Sequence, residues 1–343
     1  MTALFECRGN AIARGLSAAS ACVDREEDAF SHPPAFTHAS GRSTPVVETT
    51  AMARELNILW VDAFTTTPLA GNACAVVLDA RGLDDATMQA IARETNLSET
   101  SFVFPGDGEA DFVVRYWTPN GEIPLAGHPT IATTHALYET GAIAPENTVV
   151  RLRMPAALVP VTIRTGAGTT IYAMSQPPPV FLGTVPRAEI AAALHLDDAD
   201  LLAGTTPQTV STGTPQLMIA LASRDALDRV EPDRRALFRR EREWFSVHAF
   251  ARGHNDVALV ARHFADFGDV KEDPFTGSAT GGMAAYCARY GIVRERSYAV
   301  EQGMHVHRSG RAQVEVGGDP PDDIGRITVA GPAVTVLRGT MTL

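Results

Sequence analysis

The chain has 343 residues, enough for about two domains, and its 45% hydrophobic content is typical of a globular protein. A net charge of −11 at pH 7 and the lack of any basic run argue against nucleic acid as a partner. No apolar stretch approaches the roughly 18 residues of a membrane span, so no membrane partner is expected. The four cysteines lack metal-ligand spacing, which predicts reduced thiols in a cytoplasmic protein and no metal site.

Residues 1–55 differ from the rest of the chain. They are rich in Ala, Ser, Thr, Pro and His and show no sustained hydrophobic period. We expect a disordered extension, or a translation start placed too early with Met52 as the true start. A regulatory arm is the alternative.

Ordered structure is predicted to begin at residue 56, with two halves of similar plan. The first half is predicted to contain strands 56–64 and 73–78, helix 84–94, strands 101–104 and 112–117, helix 129–138, and strands 149–154, 159–164 and 169–175. The second half is predicted to contain helix 186–194, strands 208–211 and 217–222, helix 234–241, strands 244–250 and 256–261, helix 278–290, and strands 298–302, 313–316, 327–330 and 333–337.

This order predicts an α+β fold, because strands come in runs with one long helix in each half. The stiff stretch Gln176-Pro-Pro-Pro179 is the best linker candidate. We therefore predict an N-terminal lobe over 56–176, a C-terminal lobe over 180–332, and a terminal strand over 333–343 that could return to the first lobe.

A short phrase occurs twice. Pro124-Leu-Ala-Gly127-His128-Pro-Thr130 and Pro274-Phe-Thr-Gly277-Ser278-Ala-Thr280 share the spacing P-x-x-G-x-x-T, and each opens a helix of small residues. An acidic residue precedes each phrase, Glu122 and Glu272, and an Arg-x-aromatic pattern lies upstream of each. Helix N-termini present free N–H groups and a positive dipole end, so a facing pair is suited to binding an anion.

Glu99 is the candidate acid/base. It follows the first helix in Asn96-Leu-Ser-Glu99-Thr100, where a strand begins, and could take and return a proton there. Burial against Leu97 and Phe102 would raise its pKa. A solvated loop glutamate is the alternative.

His128 and Asp273 flank the two helix starts. A histidine beside a helix N-terminus is expected to be neutral. The alternatives are a capping or core histidine, and helix caps for Asp273 and Ser278. Asn72 ends a third glycine loop, beginning at Pro68, and is expected near the same cleft.

Taken together, Asp62-Ala-Phe64, Gly71-Asn72, Asn96-Leu-Ser-Glu99-Thr100 and the two repeated phrases resemble the PhzF-like isomerase family of phenazine biosynthesis. The resemblance implies the diaminopimelate epimerase-like fold, with two pseudo-symmetric lobes that each wrap a sheet around a central helix. It also implies a homodimer and proton transfer without a cofactor. In the founding activity, a dihydro-hydroxyanthranilate is isomerised.

The same resemblance implies roles for individual residues. The acid/base glutamate falls on Glu99, and the partners that orient the substrate or handle protons fall on His128 and Asp273. Gly277 and Ser278 stand at the second helix start.

Two departures bear on the activity. Epimerases of the wider superfamily use two cysteines, one at each helix start, whereas this chain has Ala126 and Thr276 at those positions. Asp266 stands after Arg262-His-Phe264-Ala265, where the family commonly has proline, so the native substrate is left open.

The predicted reaction moves a proton between carbons of a small carboxylate substrate. N–H groups at Gly127 and His128 on one side, and at Gly277, Ser278 and Ala279 on the other, would hold the anion. Glu99 would remove the proton and return it to another carbon. The alternatives are an epimerase or other isomerase of a non-aromatic acid, or a binding protein without turnover.

Overall fold

The structure, a computed structural model, describes residues 53–166, 168–238, 243–265 and 272–343, and this part of the chain contains seventeen strands. The strands are Glu55–Ala63 (β1), Asn72–Val77 (β2), Glu99–Pro105 (β3), Phe112–Thr118 (β4), Gly121–Ile123 (β5), Val149–Arg153 (β6), Leu158–Gly166 (β7), Thr169–Ser175 (β8), Val180–Thr184 (β9), Gln208–Ser211 (β10), Pro215–Ala220 (β11), Ser246–Arg252 (β12), Val257–Ala265 (β13), Ser297–Gln302 (β14), Gly310–Asp319 (β15), Asp323–Gly331 (β16) and Ala333–Thr342 (β17).

The described helices are short, apart from three. They are Asp85–Thr95 (α1), His128–Glu139 (α2), Arg187–Ala193 (α3), Arg224–Asp228 (α4), Arg234–Leu237 (α5) and Gly277–Tyr290 (α6), with 3-10 turns at Asp198–Asp200 and Met304–Val306. Local sequence sets the ends of the long helices. The Asp84 carboxylate caps α1 by accepting from the Thr87 N–H at 2.8 Å. Gly291, with φ +64°, ends α6 in the left-handed conformation.

Some predictions fall outside the described residues. They concern residues 1–52, including Met52, residues 239–241 of the predicted charged helix, and Asp266. Every predicted strand and helix overlaps an observed element, and the α+β class is confirmed. The sequence did not predict β5, β9 or α4.

Strand pairings follow the same order in both halves. In the first half β1 pairs with β2, β2 runs parallel to β3, β3 antiparallel to β4, and β4 parallel to β6, followed by β7 and β8. In the second half β10, β11, β12, β13, β14, β15 and β16 repeat these pairings. The helices α2 and α6 stand at equivalent places, before β6 and β14. The repeat yields the two pseudo-symmetric lobes.

The last strand of each half pairs with the first strand of the other. β9, which follows β8, pairs with β10, and β17, which follows β16, pairs with β1 along its whole length. β8 and β16 also pair with each other. The lobe boundaries 56–176, 180–332 and 333–343 stay predictions.

The two long helices lie within the core. In α6 every residue from Gly277 to Ala288 is buried, and α2 is buried over most of its length. Small residues make this burial possible, since a Cβ on Gly282 would lie 2.5 Å from the Met218 Cε. The position of these helices determines where their N-termini meet.

Candidate active site

The N-termini of α2 and α6 lie against each other. A Cβ on Gly127 would lie 2.6 Å from the Ser278 backbone nitrogen and 2.9 Å from the Gly277 Cα. A Cβ on Gly277 would lie 3.0 Å from the Phe64 ring. The close approach of the two helix starts therefore requires glycine at position 127, and the Phe64 ring leaves too little room for a side chain at Gly277; neither glycine has a positive φ.

Free N–H groups gather at this junction. Hydrogen bonding within α2 begins with the Ile131 N–H on the Gly127 carbonyl at 3.3 Å, and within α6 with the Thr280 N–H on the Thr276 carbonyl at 2.9 Å. The earlier N–H groups of each helix have no acceptor in their own helix. The junction therefore concentrates amide donors and two positive dipole ends.

A small cavity of about 40 Å³ opens at the junction. Six of the eight predicted site residues line it: Glu99, Gly127, His128, Asp273, Gly277 and Ser278. Asn72 and Ala279 are not in its wall. Two larger cavities, of about 500 and 560 Å³, have none of the predicted site residues in their described walls. The chemistry of the wall, rather than volume, marks the small cavity as the candidate site.

Glu99 is the first residue of β3 and is only 8% exposed. Its Oε2 lies 3.3 Å from the His128 Nε2, but neither atom has a hydrogen-bond partner among the described residues. Burial raises the pKa of Glu99 well above its usual range, and the nearby Asp273 charge adds to the rise. A buried carboxyl group with a raised pKa therefore lines the cavity.

His128 is the first residue of α2 and lies beside Asn72. The Asn72 amide nitrogen is 3.0 Å from the His128 Nδ1, and its two hydrogens also have the Asp273 carboxylate at 2.9 Å and the Phe275 carbonyl at 2.8 Å as acceptors. Burial lowers the pKa of His128 to about 3, which keeps the ring neutral.

Asp273 is not the cap of α6. Thr276 occupies the N-cap position, and no side chain caps the helix there. The Asp273 carboxylate instead accepts from the Asn72 amide at 2.9 Å, from the Ser98 hydroxyl at 3.3 Å and from the Thr276 hydroxyl. Burial raises the pKa of Asp273, while these hydrogen bonds lower it in part. A buried carboxylate with three hydrogen-bond donors therefore lines the cavity, close enough to Glu99 to raise its pKa.

Asn72 acts from behind the cavity wall. The Arg308 guanidinium donates to the Asp62 carboxylate at 2.7 Å and to the Gly71 carbonyl at 3.0 Å. Asp62 also accepts from the Leu69 N–H at 2.7 Å. These contacts fix the glycine loop that ends at Asn72, and so place its amide between His128 and Asp273.

Ser278 lies inside α6 and is not its cap. Its hydroxyl accepts from the Gln216 amide at 3.1 Å, and the Gln176 amide donates to the Gly277 carbonyl at 2.8 Å. Side chains from outside α6 therefore hold the second helix start in place.

Sequence reasoning missed several wall residues, among them Thr214, Gln216, Phe245 and His263. One signal was available. The patterns Arg115-Tyr-Trp117 and Arg262-His-Phe264 align with each other. In each pattern the arginine forms an ion pair with the acidic residue that precedes the repeated phrase, at 2.6 Å to Glu122 and at 2.8 Å to Glu272. Aligning the two patterns would have identified His263 as the counterpart of Tyr116 in the second half of the chain.

Strand register identifies the counterpart of Glu99. In the first half Cys74 of β2 pairs with Glu99 of β3, and in the second half Gln216 of β11 pairs with Ser246 of β12. Ser246 therefore occupies the position of Glu99 in the second half. The repeat supplies one carboxylate at this position rather than two.

Other reactive groups lie away from the cavity wall. Cys74 and Cys287 are buried free thiols, and burial raises the pKa of both. Within the described ranges no cluster of three or more His, Cys, Asp or Glu residues is arranged to hold a metal ion. In the same part of the chain, none of the helices has the length and apolar character needed to cross a membrane.

Comparison with known proteins agrees with the fold and the motifs. The family model described as phenazine biosynthesis-like protein matches residues 61–339. The chain belongs to the PhzF-like isomerase family. It is 34% identical over 291 residues to the trans-2,3-dihydro-3-hydroxyanthranilate isomerase of Pseudomonas fluorescens, covering 84% of this chain and 99% of that enzyme.

Solved structures of related proteins also have the fold of this PhzF-like isomerase. The PhzF-family phenazine biosynthesis protein of Bacillus anthracis superposes with a TM-score of 0.75 at 31% identity, over 84% of this chain and 100% of that one. A hydroxyproline epimerase from Agrobacterium vitis has a TM-score of 0.57 at 14% identity, over 84% and 92% of the two chains. The epimerase shares the fold, which confirms the diaminopimelate epimerase-like class.

Proposed function

We propose that this isomerase moves a proton between two carbons of a small carboxylate substrate, with Glu99 as the acid/base. The observation that carries the proposal is the Glu99 carboxyl itself. It is buried in the cavity wall with Oε2 free of hydrogen bonds, beside a neutral His128 and close to two helix N-termini.

The helix starts supply the anion site. N–H groups of His128 and Thr130 in α2, and of Gly277, Ser278 and Ala279 in α6, have no acceptor within their helices. A substrate carboxylate at the junction would accept from them and meet both positive dipole ends. Binding there brings the adjacent carbons next to Glu99.

Glu99 carries the proton. Its ionised form removes a proton from a carbon activated by a neighbouring double bond or carbonyl group, and becomes a neutral acid. The same carboxyl then delivers the proton to another carbon on that face of the substrate. The His128 N–H and the amide donors would stabilise the charge that develops between the two steps.

The wall favours a mechanism with one base. The counterpart of Glu99 in the second half is Ser246, which has no carboxylate. Ala126 and Thr276, at the two helix starts, line the cavity and bear no thiol. These residues do not favour the two-thiol chemistry that the superfamily's epimerases use.

The cavity must enlarge to admit a substrate. Its volume of about 40 Å³ exceeds the space of one water molecule only slightly. Movement of the two halves would open the junction, and closure would then exclude water during proton transfer. We further propose the homodimer that the family resemblance implies, which light scattering would test.

Incubation with candidate acids in D₂O tests the reaction class. The probes are trans-2,3-dihydro-3-hydroxyanthranilate, the substrate named for the Pseudomonas relative, and a set of non-aromatic unsaturated acids and amino acids. We expect a shifted double bond, detected by NMR, and deuterium at the receiving carbon, detected by mass spectrometry, in those turnovers in which the Glu99 proton exchanges with solvent before delivery. Inverted stereochemistry without a double-bond shift would indicate an epimerase instead. Binding of an acid with neither conversion nor exchange would contradict an enzyme of either kind.

A further inference from the structure

A pair of buried histidines lies behind the cavity wall. His263 of β13 lines the cavity and is 1% exposed, and His248 of β12 is fully buried. The two residues are paired across the strands, with the Nδ1 atoms 3.1 Å apart. Since the His263 Nδ1 is taken up by this contact, Nε2 is the ring nitrogen that remains available to a ligand in the cavity.

The contact requires one shared proton. Burial lowers the pKa of His248 to about 3, and burial together with His248 lowers the pKa of His263, so both rings are neutral. Each neutral ring carries one N–H. A hydrogen bond between two Nδ1 atoms then needs one ring to be protonated at Nδ1 and the other at Nε2.

The surroundings of His248 determine which of the two rings carries its proton on Nδ1. Its Nε2 is buried and has no hydrogen-bond partner among the residues that the structure describes. A buried N–H without an acceptor is rarer than an acceptor without a donor. His248 therefore carries its proton on Nδ1 and donates it to His263, which accepts at Nδ1 and carries its own proton on Nε2.

We propose that His263 contacts the substrate as a neutral hydrogen-bond donor, whose Nε2–H binds a carbonyl or carboxylate oxygen, and that His248 is a positioning residue that fixes this tautomer. The ligand class rests on the proposed function, because it takes the cavity to be the substrate site. The tautomer assignment is independent of it.

The first half of the molecule has no histidine pair at the equivalent strand positions. At the equivalent register positions, Ser101 and Tyr116 pair across β3 and β4. The Tyr116 hydroxyl bonds with the Thr130 hydroxyl at 3.0 Å, and Ser101 accepts from the Thr133 hydroxyl at 2.7 Å, so both are satisfied by α2. The histidines instead bond to each other and leave one ring nitrogen for the cavity.

Nitrogen-15 NMR of histidine-labelled protein tests the tautomers without any substrate. We expect the His248 proton on Nδ1 and the His263 proton on Nε2, assigned with His248→Asn and His263→Gln variants. The opposite pair of tautomers, or a charged ring at neutral pH, would overturn the proposal. Neither result depends on whether the protein turns over any acid.

Two pairs of variants test the contact, with 3-hydroxyanthranilate as a non-reacting carboxylate probe and calorimetry as the measurement. His263→Leu removes the donor and should weaken binding about 3- to 10-fold, the value of one neutral hydrogen bond. His263→Gln places an amide N–H near the Nε2 position and should recover most of that loss. Equal binding by the Leu and Gln variants would contradict the donor role of His263.

His248→Leu leaves the His263 Nδ1 without a donor, whereas His248→Asn supplies an amide N–H near the original Nδ1. We expect the Leu variant to lose the His263 Nε2–H signal and the Asn variant to keep it. Binding of the probe should follow the tautomer. If His248→Leu keeps the tautomer and the affinity, His248 has no positioning role. Failure of the proposed function alone would leave the NMR result intact.

Discussion

Burial disfavours the charged form of three side chains in the cavity wall, those of Glu99, His128 and Asp273. It raises the pKa of both carboxyl groups and lowers that of the histidine. A carboxyl group with a raised pKa binds a proton more readily, which suits a group that must both remove and return one. The acid/base role that we propose for Glu99 thus rests on burial and on the neighbouring Asp273 charge.

Asp273→Asn tests the electrostatic part of this account. Because Glu99 must be ionised to act as a base, the rate should fall as pH drops through its raised pKa. The Asp273 charge raises that pKa, so its removal should lower the pKa and move the acidic limb of kcat/KM to lower pH. The full pH profile of both proteins measures this. A limb that stays in place, or moves to higher pH, would contradict the coupling.

Short motifs in the sequence indicated the residues around the helix starts. Glu99, His128 and Asp273 each stand beside a recognisable glycine loop or strand start. Gln216 reaches the same cavity from β11, Thr214 from the turn before β11, and His263 from β13. The placement of Gln216 and Thr214 depends on strand register, which no local pattern fixes, whereas His263 could have been found by aligning the two arginine patterns.

At the level of elements, the site depends on how closely α2 and α6 approach. Gly127 and Gly277 are the points of contact, and each lacks room for a side chain. The repeated phrase predicted the two helix starts, and its glycines allow the contact between them. The amide donors therefore face one cavity rather than two.

Gly127→Ala tests this contact. The added Cβ would press on the Gly277 and Ser278 backbone, which cannot move aside as a side chain could. We expect a loss of about 1–3 kcal/mol in the free energy of unfolding, typical of overpacking, and a large loss of activity. The control is Gly121→Ala, whose Cβ would have no atom within 4 Å. Equal stability and activity of the two variants, measured by denaturant unfolding and kinetics, would disprove the tight junction.

Element boundaries were harder to predict where glycine and proline interrupt the alternation. β15 and β16 extend several residues beyond the predicted strands. Gly317 and Gly318 lie inside the hairpin, and because glycine has no side chain it interrupts the alternation of apolar and polar residues. β9 was missed since Val180–Thr184 follows three prolines and is largely exposed. β9 is held in the sheet by its backbone pairing with β10 rather than by burial of a hydrophobic face.

Across the whole molecule, a repeated set of pairings supports a single asymmetric site. The two halves share strand order, and β9 and β17 connect each half to the other. Within this repeat Glu99 corresponds to Ser246, and Tyr116 to His263. Similar backbones thus present different side chains on the two sides of the cavity, as the proposed one-base reaction requires.

The repeated motif made the two-lobe fold predictable from sequence. The pairing of each half's end strand with the other half was only partly predictable, because β17 has several apolar residues, whereas the apolar residues of β9 are consecutive and do not alternate with polar ones. The homodimer and the lobe boundaries stay predictions.

Deuterium incorporation by Glu99→Gln tests the central claim most directly. The amide keeps the shape of the side chain but cannot take up the substrate proton. In D₂O with trans-2,3-dihydro-3-hydroxyanthranilate, or whichever acid the wild type converts, we expect incorporation to fall at least about 1,000-fold, with the fold and the binding of 3-hydroxyanthranilate retained. The control is Glu94→Gln, an exposed glutamate of α1, which should match the wild type. Exchange by Glu99→Gln at the wild-type rate would contradict the account.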